Sequence, residues 1–564
     1  MKFSQFDYKR PSIEVIRLQF EELIDDFNKA DTVRRQEEII LKINSIRIEF
    51  ESMMNIAFIR YSINTADVNN EKEQDYFDEI SPEYRELVSK FYQSLDASPH
   101  KSGLIKRFGS QLFDVARSVV KTISPNIVND LKKENHLSNR YMKLKASAKI
   151  NFNNSDLSLP ELEPFMESQD REIRHGAFNA YWGFFASKAD ELDNIFDNLV
   201  KLRTNMAKVL GYENFIGLGY ARMRRIDYDA EMVDKFRQKI KKYVVPVITK
   251  LRQRQAKRIG LDNLKVYDLF LMFKSGNANP KGNPEWIVAQ GEKMYKELSP
   301  QTGEFFDFMT NNELMDLYSR KGKADMGYCE YIPKYQSPFI FANMNKTDDD
   351  ITVLTHEAGH AFQSYMSRHF ELKEYTEPTM ESAEIHSMSM EFITWKWMDY
   401  FFGKDSEKFR FSHLSNALSF LPYGVLVDDF QHWVYANPDA SPSERKSKWR
   451  EMEKEYMPHL DYDGNEFLES GGRWQKQGHI YEMPFYYIDY ALAQICALQF
   501  RSKIETNFDQ TLNDYIKLCK AGGSKPFLQL VELAGLKSPF DDNVIESCVE
   551  ASEKWLDEID DSKF

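Results

Sequence analysis

The sequence predicts a mainly α fold with a small β-sheet set beside one chemically distinctive helix. Three observations carry this. Apolar residues recur at helical spacing through most of the chain. Between about residues 262 and 345 that period loosens and Gly276, Gly282, Gly322 and Gly327 accumulate, which marks loops and short strands. Directly afterwards Ile351, Leu354, Ala358, Ala361 and Phe362 restore helical spacing around His356-Glu357-Ala358-Gly359-His360.

In chain order, Ser12 caps a helix whose Ile16, Phe20, Leu23 and Phe27 share one face. Asp31-Thr32 opens a second helix with Ile39, Ile40 and Ile43, so the two form a hairpin. Residues 77–125 continue in helical pattern, with turns expected at Ser81-Pro82 and Ser98-Pro99. Residues 147–160, with Asn151, Asn153, Asn154 and Pro160, read as a linker or short irregular segment. They divide an N-terminal helical region, 1–160, from a larger region, 161–564, that carries the motif. Residues 171–208 make one or two amphipathic helices with Phe178, Tyr181 and Phe184 as a packing stripe. A basic helix over residues 230–257 should kink at Pro246. A short sheet is expected partly from residues 325–345. Residues 381–392 contain no Gly or Pro and form a further helix, for which Pro378 suits the start.

Composition narrows the function. The chain has 564 residues and 42% hydrophobic content, enough for several cores and too much for disorder. A net charge of −14 disfavours nucleic acid or an anionic membrane as partner, so the basic stretch 250–258 reads as a solvated face. Cys329, Cys496, Cys519 and Cys548 form no C-x-x-C pair and read as free thiols in a reducing compartment. The opening residues lack an apolar run and no transmembrane stretch is found, so the cytoplasm is the expected compartment. Oligomeric state is not written in the sequence.

The five residues 356–360 are an H-E-x-x-H motif. Positions i and i+4 share a helix face, so both imidazoles reach one metal ion. Such a site holds zinc through two histidines and one more ligand, with an open fourth position, and Glu357 stands between them as a general base for water. The third ligand must come from elsewhere, and the helix 381–392 offers Glu381, Glu384, His386 and Glu391. Glu384 and Glu391 lie seven apart on one face, so one can bind metal while the other holds a ligand histidine. Spacing alone gives Glu384 a slight edge. Downstream, Gly471 to Tyr490 combines glycines with His479, Tyr481, Tyr486, Tyr487 and Tyr490; Pro484 suits the start of a helix carrying the last three. Imidazole and phenol are suitable donors to a developing oxyanion. The remaining histidines have no companion spacing and read as structural or surface residues.

Thr355 to Gln363, followed by Glu384 to Glu391, resembles the thimet oligopeptidase and oligoendopeptidase F family of zinc peptidases, and most closely its bacterial oligoendopeptidase F and Pz-peptidase branch. Residues 210–214, 337–343 and 479–490 add to the likeness, which covers roughly residues 170–550. Gln363 departs from a histidine common in relatives, at a position that is not a ligand. The resemblance implies a zincin-like catalytic region, with the helical N-terminal region closing a deep channel. It implies one Zn²⁺ held by His356, His360 and Glu384, with Glu391 beside a ligand and Glu357 as base. It further implies that His479 and Tyr490 act on the transition state. The second tyrosine stays open between Tyr481, Tyr486 and Tyr487. The strand-like 339–343, including Ala342, is expected to pair as an edge strand with an extended peptide. The function expected is internal cleavage of short unfolded peptides. The alternative is a zinc carboxypeptidase or dipeptidase on a related scaffold, for which Arg473 and Lys476 would clamp a C-terminus.

Overall fold

The computed structural model describes residues 1–564. Helices dominate, and the N-terminal hairpin is present. Ser12 Oγ accepts from Val15 N at the start of Ile13–Lys29, and Thr32 caps Val33–Ile63 in the same way. The next helix, Val68–Asp96, corrects the turn expected at Ser81-Pro82, because it runs through the proline. Its buried face of Phe77, Ile80, Tyr84, Leu87 and Phe91 is continuous across Pro82, and that burial outweighs the one lost backbone bond.

Residues 147–160 hold a second correction. They form a hairpin, with β1 (Ile150–Phe152) antiparallel to β2 (Ser155–Leu157). The turn residues Asn153 and Asn154 have φ of 50° and 60°. Two adjacent left-handed residues make a type I′ turn, and asparagine tolerates that conformation. Residues 171–208 become two helices, Arg171–Ser187 and Ala189–Val209. The break expected near Pro246 is found: Ala230–Tyr243 ends at Val244, and Val245–Ile259 restarts with proline in its first turn.

The small sheet contains β3 (Met315–Tyr318), β4 (Tyr328–Ile332) and β5 (Ser337–Met344), in the order β3-β5-β4. β3 runs parallel to β5 and β4 antiparallel, with Cys329 opposite Ile340. Beside it pack three helices: the motif helix Asp349–Ser367, the glutamate helix Met380–Ile393 and the tyrosine helix Tyr487–Thr506. The last two are buried on nearly every side. One apolar core extends from Phe6 to Leu556, so the N-terminal helices and the motif helices share it. Polar ties reinforce this. Arg47 pairs with Glu374 just beyond the motif helix, and Asn55 Nδ2 donates to Tyr331 O at 2.7 Å. No helix is long and apolar enough to cross a membrane.

Candidate metal centre

The motif helix starts from a closed turn. The Asp350 carboxylate accepts from Asn345 N at 2.8 Å and Lys346 N at 2.9 Å, and Asp349 and Asp350 face the positive end of the helix dipole. One turn apart, the His356 and His360 rings lie 5.0 Å from centroid to centroid. Between them sits Gly359, pressed against the glutamate helix. A Cβ there would lie 2.6 Å from both His386 O and Ser387 Cα, so only glycine permits this approach.

That approach delivers Glu384. Its Oε2 is 3.2 Å from His356 Nε2 and 3.4 Å from His360 Nε2. Tetrahedral zinc with bonds of 2.0–2.1 Å sets its ligand atoms about 3.3 Å apart. Two imidazole nitrogens and a carboxylate oxygen at this spacing therefore fit one zinc ion. Glu381, the other acidic candidate nearby, faces Asp489 and Arg225 instead. His386 is fully buried with neither ring nitrogen partnered, and burial pushes its pKa down to about 4.

Neighbours fix the three groups. His356 Nδ1 bonds to Glu391 Oε1 at 2.7 Å, which turns Nε2 toward Glu384. Glu391 Oε2 bonds to His413 Nε2 at 2.8 Å, and the Trp395 indole donates to His413 Nδ1 at 3.2 Å. Ser387 Oγ donates to Glu384 Oε2 at 2.8 Å, and the Tyr486 hydroxyl donates to Glu384 Oε1. Burial alone would lower His356, yet hydrogen bonds to Glu384 and Glu391 outweigh it and hold its pKa well above the usual value. Burial raises Glu384, but His360 and His356 pull it well below the carboxylate range. Both shifts have one cause: three groups converge on a point that favours a cation.

Glu357 is buried beside this point. Burial raises its pKa, with His356 and His360 opposing. Its Oε2 is shielded and has no hydrogen-bond partner, and Gly327 packs against Oε1 at a distance where a Cβ would sit 3.4 Å away. A buried carboxylate oxygen left unpaired is costly unless it serves a bound group.

The tyrosine helix closes the other side. Arg225 and Asp489, both fully buried, pair at 2.7 Å and anchor its first turn. Phe485 turns the chain into it at φ 69°, held by Gln431 Oε1 accepting from its backbone N at 2.9 Å. The helix consequently begins at Tyr487 and not at Pro484 as the sequence suggested. Tyr423 donates to Gln477 Oε1 at 3.0 Å, so the Gln477 amide nitrogen points at His479 Nδ1, 2.8 Å away. Nδ1 is thus an acceptor, and His479 Nε2 carries the proton toward the Tyr490 oxygen at 3.1 Å. Burial pushes His479 down to about 4, so the ring is neutral near pH 7. The Tyr490 hydroxyl proton is then free to point into the cleft.

Two expected substrate contacts are corrected. Tyr481 is fully buried, stacked on Tyr141 at 4.0 Å and on Trp474 at 5.7 Å, so it is core. Ala342 is also fully buried, and its carbonyl accepts from Lys323 Nζ. It lies on β5, which has a partner strand on both sides and offers no edge. Tyr487 remains at the cleft, half-buried against His479 and Tyr490. His413, Ser387, Gln477 and Tyr423 were not picked out in the sequence. Ser387 lies one turn from Glu384 and was legible from spacing; His413 comes from the separate helix Ser406–Ala436 and left no local signal.

Paired imidazoles, a facing carboxylate and an adjacent unpaired carboxylate have the make-up of a mononuclear metallohydrolase site. The peptidase M3 N-terminal domain matches residues 3–123, and peptidase family M3 matches residues 164–287 and 302–550. The chain belongs to peptidase family M3. It is 22% identical over 436 residues to oligopeptidase PepF of Bacillus subtilis (strain 168), covering 72% of this chain and 62% of the relative. Against an oligoendopeptidase F homolog of Borreliella burgdorferi it is 22% identical over 390 residues, covering 66% and 63%. The chain thus spans less than two thirds of the length of these curated relatives. Solved structures match throughout. A Pz peptidase A solved with an inhibitor is 52% identical with TM-score 0.99, covering 100% of both chains. A structure assigned as oligoendopeptidase F from Bacillus anthracis str. Ames is 50% identical with TM-score 0.95, covering 100% of this chain and 99% of that one.

Proposed function

We propose that the chain is a zinc endopeptidase that hydrolyses internal bonds of short, unfolded oligopeptides. The observation that carries this is the tetrahedral-edge spacing of His356 Nε2, His360 Nε2 and Glu384 Oε2, with the unpaired Glu357 Oε2 beside them. When bound, zinc supplies a Lewis acid that polarises a water and the scissile carbonyl.

The chain's own groups do the rest. Glu357 Oε2 accepts the proton of the attacking water and returns it to the leaving amine. Tyr490 donates its hydroxyl proton to the carbonyl oxygen as negative charge develops, and His479 Nε2–H orients that phenol. Tyr486, engaged with Glu384, holds the third ligand in place. The peptide backbone pairs along the free edge of β4, which starts just beyond Gly327 and Glu357. The edge-strand mode therefore stands, moved from β5 to β4.

The N-terminal region, 1–160, forms a wall over this site, and the remainder, 161–564, carries the chemistry. Exposed side chains such as Arg85 and Asp349 have their charged forms penalised by surrounding protein, which supports an enclosed chamber. An enclosed chamber admits extended peptides and excludes folded proteins. Four cysteines without a disulfide support a reducing compartment, and we assign the cytoplasm.

Incubation with a defined nonapeptide, followed by mass analysis of the products, tests this reading. Paired internal fragments are expected. Release of only C-terminal amino acids or dipeptides would replace the endopeptidase with an exopeptidase.

A further inference from the structure

A second cluster of interior groups lies behind the tyrosines, on elements the hydrolytic site does not use. Arg252 comes from the helix Val245–Ile259, His459 from the loop after Pro442–Tyr456, and Arg473 from the 3₁₀ turn Gly472–Lys476. All three are half-buried. The two guanidinium charges both act on His459, and together with burial they push its pKa down to about 3, so the imidazole is neutral. Arg252 is itself pushed down to about 10 by burial and by the charges of Arg258 and Arg473. Side chains that keep open surface yet lose solvation in this way line a recess and not the outer surface.

The recess lacks negative charge. Arg473 Nη1 reaches Glu453 Oε1 at 3.2 Å, but Glu453 is also taken by Arg450 at 3.1 Å, Tyr462 at 2.6 Å and Trp449 at 3.3 Å. Arg258, the next cation, is paired with Asp561. Arg252 has no carboxylate partner at all; its one hydrogen bond runs from Nη1 to the neutral Gln255 Oε1 at 2.7 Å. Arg252 Nε and both ring nitrogens of His459 are shielded from solvent and unpartnered. Orphaned donors beside an unpaired guanidinium are an arrangement a carboxylate completes, through charge-assisted bonds to arginine.

The recess connects to the proposed reaction centre through aromatic rings. Arg473 sits 5.0 Å from the Tyr423 ring centroid, Tyr423 5.8 Å from Tyr487, and Tyr487 5.4 Å from Tyr490. These steps bound the distance from Arg473 to Tyr490 at roughly 16 Å, which no more than about five extended residues span.

We propose that Arg252, His459 and Arg473 form a subsite for the C-terminal carboxylate of the peptide substrate, which fixes how many residues lie between the cleaved bond and the chain end. This rests on the peptidase reading above. Arg252 supplies the charge, His459 supplies a neutral N–H, and Arg473 ties the subsite to Tyr423 and hence to Gln477 and His479. The subsite is a specificity device; it touches the end of the substrate and none of the reacting atoms.

The test compares three peptides of one sequence: a free C-terminal acid, the C-terminal amide, and an amide whose last residue is glutamate. Wild-type enzyme should prefer the acid over both amides by about 10- to 100-fold in kcat/KM, mostly through KM, the range of a charge-assisted hydrogen bond. Arg252→Gln should bring the acid down to the level of the amide, and Arg252→Lys should restore part of the preference. C-terminal fragments should be no longer than about five residues. Equal hydrolysis of acid and amide by wild type overturns the subsite, as does an undiminished preference in Arg252→Gln. Full recovery with the amidated glutamate peptide overturns its assignment to the chain end. Failure to cleave any of the three would instead overturn the peptidase reading on which the subsite depends.

Discussion

Replacing Gly359 by alanine tests whether helix contact sets the metal geometry. The added methyl would lie 2.6 Å from His386 O and Ser387 Cα, about 0.8 Å short of the 3.4 Å at which ordinary contact begins. Both obstructing atoms are backbone, so no side chain can swing away. The glutamate helix must retreat by most of that shortfall, or the motif helix must bend. Overpacking of this kind costs about 1–3 kcal/mol. In a chain of 564 residues, with about 2.1 cal/mol/K of unfolding entropy per residue, that lowers Tm by only about 1–3 °C. The site should suffer far more. Zinc ligands tolerate displacements of about 0.2 Å, and Glu384 would leave the two histidines by several times that. Zinc affinity, measured by competition with a chromogenic chelator, should fall about 10-fold or more. Peptide kcat/KM should fall about 100-fold, the cost of a misplacement near 1 Å. Gly183→Ala is the control, because nothing lies within 4 Å of its added methyl. It should leave activity unchanged and raise stability slightly. A folded Gly359→Ala protein with normal zinc affinity and normal kcat/KM would refute the argument.

Other expectations follow the same geometry. Glu357→Gln should keep zinc while kcat falls about 10²-fold or more, and a near-normal kcat would assign the proton transfer elsewhere. Tyr490→Phe, which removes only the hydroxyl, should lower kcat about 10²-fold with KM little changed, and an unaltered kcat would make Tyr490 a packing residue. Glu391→Gln should weaken zinc binding about 10- to 100-fold through loss of the anchor on His356 Nδ1, checked by the same competition assay. Arg47→Met strands the buried Glu374 carboxylate and should destabilise the fold by about 3–5 kcal/mol in denaturant unfolding. The Glu374 pKa is held below the carboxylate range: burial raises it, and Arg47 and Tyr92 more than offset that. The stability this contributes is present above the ordinary carboxylate pKa and is lost as pH falls through the depressed one, so the gap between wild type and Arg47→Met should shrink in acid.

The motif helix was legible because three signals coincide there: first-turn aspartates, apolar spacing, and histidines one turn apart. The pairing of Glu384 with Glu391 was equally local, since seven residues make two turns of one helix. What the sequence concealed was the arrangement between elements. Ala342 read as an exposed strand because the 339–343 pattern says nothing of strand order; the structure puts β4 and β3 on its two sides. Tyr481 and Tyr490 are the same residue type within one segment. One stacks on Tyr141 from an N-terminal helix while the other meets His479, and only tertiary packing separates them. His413 illustrates the limit most clearly, because its role exists only through Glu391, which lies on a different helix. The Asn153-Asn154 hairpin was within reach, as two adjacent asparagines are a recognised left-handed turn signal.

Zinc content and peptide hydrolysis, followed together through chelation and re-addition, test the central claim most directly. The account predicts one zinc per chain in the wild type, loss of hydrolysis when a chelator removes it, and recovery on adding zinc back. It also predicts that Glu384→Ala holds little zinc while Glu381→Ala holds a full equivalent. Hydrolysis that persists in metal-free protein, or equal zinc in Glu384→Ala and wild type, would contradict it.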